Sequence, residues 1–181
     1  MPSPITEPVV YQAAFEALAR AVRLDEQPAL IQALRGLGYD RRNELTQYPP
    51  EVLRAVLDPL VGHAFPALPR EEGYRALGHQ AFRAYRSTLV GQVAMAALSM
   101  LSVERAMRLA VRAFRTVSNF SEHEVVPVGD RELLYRARRT TLPPRYTQGL
   151  LEELLVGTRN RNVTLTVLDQ TADQLDFRLT W

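Results

Sequence analysis

A chain of 181 residues, 46% hydrophobic and 23% charged, has the composition of a globular protein and is long enough to bury a core as one domain, residues 1–181. It holds no cysteine, which excludes disulfides, thiolate nucleophiles, zinc knuckles and iron–sulfur clusters. All 22 basic residues are arginine and the net charge is only +2, too small a balance to indicate nucleic acid by itself.

The opening MPSPITEPVV lacks a basic segment followed by an apolar one, and no stretch approaches 18 apolar residues, so the expectation is a cytoplasmic chain with no membrane span. Tyr11, Phe15, Leu18 and Val22 recur at helical spacing and form the stripe of a first helix. Asp25 and Pro28 start a second, carrying Leu30, Ile31 and Leu34 and ended by Gly36 and Gly38. After the loop YDRRNELTQYPP, Val52, Val56 and Leu60 share a face of a third helix that Pro59 is expected to kink or stop. Helical spacing resumes at Tyr74, Leu77, Ala81 and Tyr85, then at Leu89, Val93, Ala96 and Met100, with a junction between Ser87 and Gly91. Ser102 is an N-cap with Glu104 in the first turn, and Val103, Met107, Ala110 and Phe114 form the next buried stripe.

Beyond Phe120 the period becomes two. HEVVPVGDRELLYRAR reads as two strands around Gly129 and Asp130, with Pro127 at an edge or bulge. Pro143 and Pro144 open a helix with a wide apolar face of Tyr146, Leu150, Leu151, Leu154 and Leu155, which Gly157 in a left-handed conformation is expected to stop. Val163, Leu165 and Val167 alternate with threonines, and Leu175, Phe177, Leu179 and Trp181 share one face of a last strand. A mainly helical part, residues 1–118, therefore precedes a β-β-α-β-β part, residues 119–181. The fold class is α+β, an N-terminal helical layer packed on a four-stranded antiparallel sheet.

The segments GLLEELLVGTRNRNVTLTV and DQLDFRLTW resemble the end of the vinyl-reductase and TRAPP-like group and of the related haem nitric-oxide-binding domains. Residues Tyr74 to Trp181, through YRALGHQAF, TLVGQVAMAALS, PPRYTQGLLEELL and FRLTW, are similar to a myxobacterial paralogous family of uncharacterised proteins, a domain family of unknown function. The resemblance implies a ligand cavity or a protein-binding face between helices and sheet, with Phe82, Tyr85, Met95, Met100, Met107 and Phe114 as cavity candidates that also suit an ordinary core. In the haem-binding branch a helical histidine ligates iron and a Y-x-S-x-R motif holds the propionates. Here His79 is the only histidine suited to that role, and YRSTL matches at Tyr85 and Ser87 but places Leu89 where arginine is required. Haem is disfavoured on that ground, and no cofactor or metal is expected.

Catalytic patterns are absent from the sequence: there is no G-x-S-x-G elbow, and no P-loop is available to a chain without lysine. In EHE, Glu122 and Glu124 point away from His123 on a strand, so the trio reads as a solvated strand end that is no metal site. The chain is expected not to be an enzyme. Arg105, Arg108, Arg112 and Arg115 recur at spacings of 3, 4 and 3 along one helix, a face suited to an acidic protein partner, anionic lipid or nucleic acid unless the chain's own acids pair with it. Arg131, Arg136, Arg138 and Arg139 would extend it if the first hairpin lies nearby. The small residues of GQVAMAALSM suit close helix pairing, so a homodimer is expected. These features describe a non-catalytic sensing or protein-interaction module of a bacterial signalling or regulatory system. The alternatives are a sensor holding a hydrophobic small molecule or haem in the helix–sheet cavity, and a binder of nucleic acid or an acidic partner through the arginine-lined helix.

Overall fold

Helices come first and the sheet last in the computed structural model, which describes residues 7–42, 45–159, 162–171 and 173–181. The helical part contains β1 (Val10–Tyr11), α1 (Gln12–Ala21), a 3-10 turn (Leu24–Glu26), α2 (Pro28–Gly36), β2 (Gln47–Tyr48), α3 (Pro50–Ala64), α4 (Arg70–Arg86), α5 (Leu89–Leu98) and α6 (Val103–Phe114). The sheet part contains β3 (Glu122–Gly129), β4 (Glu132–Arg138), α7 (Pro144–Val156), β5 (Thr164–Gln170) and β6 (Gln174–Thr180). The four strands form one antiparallel sheet in the order β3-β4-β6-β5. Pro127 lies on the edge strand β3 beside a register shift, the kind of position at which a sheet tolerates a residue without an N–H.

Three local expectations are corrected. The segment read as a loop before α3 contributes β2, which pairs Tyr48 with Val10 of β1. Pro59 lies inside α3 and does not stop it, because Leu60 and Val61 continue the buried face of Leu53, Val56 and Leu57. Gly157 closes α7 with φ of −77°, a right-handed conformation. Its lack of a side chain serves packing, since a Cβ there would collide with the Met95 methyl.

Two apolar clusters carry the fold. Phe15, Leu18, Leu34, Tyr48, Leu57, Leu60 and Leu77 fill the first, among α1 to α4. Phe15 packs against Tyr39 at 4.8 Å and Tyr48 at 4.6 Å between ring centroids. Met107, Leu133, Tyr135, Leu151, Phe177 and Leu179 fill the second, among α6, α7 and the sheet. Helix α6 buries Val103, Ala106, Met107 and Ala110 on one face, and the Ser102 hydroxyl accepts a hydrogen bond from Arg105 N, as the capping pattern requires.

Candidate functional site

Helices α4 and α7 meet backbone to backbone at Gly78 and Gly149. A Cβ on Gly78 would collide with the Tyr146 carbonyl oxygen and stand 2.9 Å from Leu150 N, and one on Gly149 would collide with the Arg75 carbonyl oxygen. This approach gathers an ion cluster. His79 Nε2 is 3.0 Å from Glu152 and Nδ1 is 3.2 Å from Glu153. Arg75 Nε donates to Glu152 at 2.8 Å, and Arg83 Nε lies 2.9 Å from the buried Glu153. A carboxylate is tolerated at such a depth because donors surround it. Burial alone would raise the Glu152 carboxyl, but hydrogen bonds from His79, Arg75 and Gln148 outweigh it and bring the pKa down to about 2.

Haem does not fit the donors that this region offers. Both His79 nitrogens face carboxylates, so neither is free for iron. Tyr85 faces solvent, the Ser87 hydroxyl donates to the Ala84 carbonyl, and Leu89, standing in place of the propionate arginine, is 81% exposed. His63 is exposed on α3. Among the described residues, no group of three or more His, Cys, Asp or Glu side chains is placed to hold a metal ion.

His123 corrects another expectation. It is not a solvated strand end: Phe114 stacks on its ring at 4.7 Å, Nδ1 lies 2.7 Å from Tyr135 Oη, and Nε2 lies 3.0 Å from Ser121 Oγ. Glu122 and Glu124 are exposed on the opposite side, as the alternation requires. Burial, reinforced by the charge of Arg115, brings the imidazole pKa down to about 4. A neutral ring carries one N–H. It donates from one nitrogen to one of these hydroxyls and accepts at the other nitrogen. Together the three side chains form a hydrogen-bonded strut from Tyr135 of β4 through His123 of β3 to Ser121.

The strut has a pH signature. As pH falls from about 6.5 to about 4 the unfolded chain binds a proton that folded His123 refuses, so stability is complete above this window and is lost within it, by roughly 3 kcal/mol. The urea midpoint is expected to be flat from about pH 8 to 7 and to fall below that, and His123→Gln should remove most of the slope down to about pH 4.5. Parallel slopes in both proteins would rule out His123 as the titrating group.

The six cavity candidates do not converge on one of the described cavities. Met107 is fully buried, Phe82, Met95 and Phe114 pack against the same sheet-side cluster, and Tyr85 and Met100 face solvent. The larger described cavity, about 250 Å³, lies instead in the N-terminal helical layer against Leu24, Ile31, Leu34 and Tyr39. Arg105, Arg108, Arg112 and Arg115 all emerge on the exposed side of α6. Arg108 pairs with Glu104 at 2.9 Å, and the other three have no acidic partner among the described residues. In the hairpin, Arg136 pairs with Asp176 and Arg139 with Glu122.

Helix α5 differs most from its sequence pattern. The stripe Leu89, Val93, Ala96 and Met100, which spacing marks as buried, is turned outward, with Val93 73% and Met100 82% exposed. Packing uses other positions: Leu98 is buried, and Gly91 is pressed so tightly against the end of α4 that a Cβ would collide with the Tyr85 carbonyl oxygen. Val156, at the end of α7, adds another exposed apolar side chain that periodicity had not singled out.

No curated protein matches this chain. Among solved structures, a variant of the Tt H-NOX domain superposes with a TM-score of 0.67 at 10% identity, covering 94% of this chain and 94% of that one. A mutant T. Tengcongensis H-NOX gives 0.59 at 11% identity, with 92% of this chain and 94% of that one covered. An oxygen-binding H-NOX domain related to soluble guanylate cyclases gives 0.58 at 11% identity, with 93% and 90% covered. Identities this low show a shared α+β fold. Among described residues no helix is long and apolar enough to cross a membrane. The profile of a family described as "Protein of unknown function (DUF2378)" matches residues 9–181, so it spans both the helical part and the sheet, and the chain belongs to that family.

Proposed function

We propose that the chain is a non-catalytic interaction module of a bacterial sensing or regulatory system and that it self-associates through α5. The observation that carries this reading is the solvent-facing set Leu89, Val93 and Met100. Burying each such side chain contributes about 1.5 to 3 kcal/mol, and contiguous apolar patches on a monomer mark contact surfaces. Charge selects the occupant. From Ser87 to Val103 there is no charged residue, so a charged partner surface docking here would lose hydration without compensation. A second copy related by a two-fold axis presents the same neutral face, and exposed Ala96 and Ala97 allow two helices to approach closely.

Equilibrium sedimentation is expected to show a dimer at micromolar concentration that persists in about 0.5 M salt, because apolar contact is not screened. Val93→Glu should return a folded monomer with the wild-type circular dichroism spectrum and a thermal midpoint that no longer rises with protein concentration. A wild-type monomer up to high micromolar concentration would overturn the proposal. A second reading, an acidic protein or nucleic acid on α6, is favoured by Arg105, Arg112 and Arg115, which have no acidic partner among the described residues. Such an association would dissolve in the same salt and respond to Arg112→Glu, not to Val93→Glu.

A further inference from the structure

The cavity in the N-terminal helical layer has the features of a binding site, and it is independent of α5. Its inner wall is apolar, formed by Leu24, Ile31 and Leu34, and its rim carries Arg35, Arg41 and Arg42 with Asp25 and Asp40. Two of the guanidinium groups are already engaged: Arg41 with Glu16 and Asp25, and Arg35 with Asp40 at 3.0 Å. Arg42 differs. Its backbone N–H donates to Asp40 at 3.0 Å, but its guanidinium has no acidic partner among the described residues.

Beneath that rim lies Tyr39, 4% exposed, with its ring stacked on Phe15. Its hydroxyl is one of two buried side-chain polar atoms with no hydrogen-bond partner among the described residues. Such a group is destabilising until something pairs with it. Burial, with the nearby Glu16 charge, pushes its pKa up, so it remains a protonated donor seeking an acceptor.

We propose that this cavity binds a small carboxylate with an apolar body, its charge held by Arg42 and Tyr39 and its body against Leu24, Ile31 and Leu34. A guanidinium with no acidic partner and a buried donor without an acceptor, both among the described residues, match a carboxylate, and the apolar wall selects an organic acid over inorganic phosphate. The volume of about 250 Å³ is below the ~300–1,000 Å³ of pockets for drug-sized ligands, which limits the ligand to a short chain or a single ring. Arg41 lines the same cavity and is held by Glu16 as well as by the exposed Asp25.

The probes are hexanoate and benzoate, titrated into the full chain by calorimetry beside hexanol and benzyl alcohol. At least one carboxylate is expected to bind saturably and its matched alcohol about tenfold more weakly. Arg42→Gln, at an exposed position, should weaken binding about tenfold while the fold is kept. Tyr39→Phe should raise the thermal midpoint without ligand, since the unpaired hydroxyl is gone, and should diminish the further rise that the carboxylate gives wild type. The proposal fails if neither carboxylate binds the folded wild-type chain saturably, if the alcohols bind equally well, or if Arg42→Gln leaves affinity unchanged. Each of these failures leaves the α5 dimer standing, because none of these residues lies on α5.

Discussion

Phe177→Ala is expected to lower the unfolding free energy by about 3 to 5 kcal/mol. Phe177 is 0% exposed on β6, between Tyr135 of β4 and Val167 of β5, with its ring centroid 6.1 Å from that of Tyr135. A strand bonded on both sides cannot move into the void without breaking two ladders, so little of the cavity is recovered by collapse. The loss is a large share of a typical stability of about 5 to 15 kcal/mol. Leu168→Ala, on the outer strand β5 at 43% exposure, is the control and should change stability by about 0.5 kcal/mol or less. Urea unfolding at a common slope reads both. A Phe177→Ala loss below about 1 kcal/mol would place the residue outside the core.

That strand was legible because its period follows burial at all but one position: Leu175, Phe177 and Leu179 are buried and Arg178 and Thr180 are exposed, while Asp176, on the polar face, is buried beside Arg136. Helix α6 was legible for the same reason at a period of 3.6, with the Ser102 cap marking its start. Turn and edge chemistry placed the first hairpin and Pro127. In each case one local pattern has one structural solution, and the order of helices followed by β-β-α-β-β needs nothing more.

Other features depend on contacts that no local window contains. The two-residue strands β1 and β2 are too short to show a period and pair across α1, the 3-10 turn and α2. His79 reads as a polar surface residue until α7, far along the chain, brings Glu152 and Glu153 to both of its nitrogens. Helix α5 is apolar on several sides, so its spacing could not choose the face, and the choice was made by Gly91 and Leu98 packing inward. The same limit applies to the cavity candidates: methionines and aromatics at helical spacing indicate packing, not which cavity they line. Tyr39, the residue that does line one, sits outside any periodic segment, directly after Gly38 in the turn that follows α2.

Gly78→Ala is expected to destabilise the chain by about 3 kcal/mol, against the usual preference for alanine in a helix. In an exposed helix that replacement gains about 0.5 to 1 kcal/mol. At Gly78 the new methyl would meet backbone of α7, the Tyr146 carbonyl oxygen and Leu150 N, neither of which can rotate away as a side chain would. The helices must separate, and with them the contacts that satisfy the buried Glu153. Overpacking costs about 1 to 3 kcal/mol by itself, and loosening the donors around a buried carboxylate adds to it. Gly62 on α3 is the internal comparison, since a Cβ there meets nothing within 4 Å, and Gly62→Ala should be neutral or stabilising. Chemical denaturation of the two variants therefore gives shifts of opposite sign if α4 and α7 are in backbone contact. Two shifts of the same sign and similar size would mean that the glycine crossing is not what joins the helical layer to the sheet.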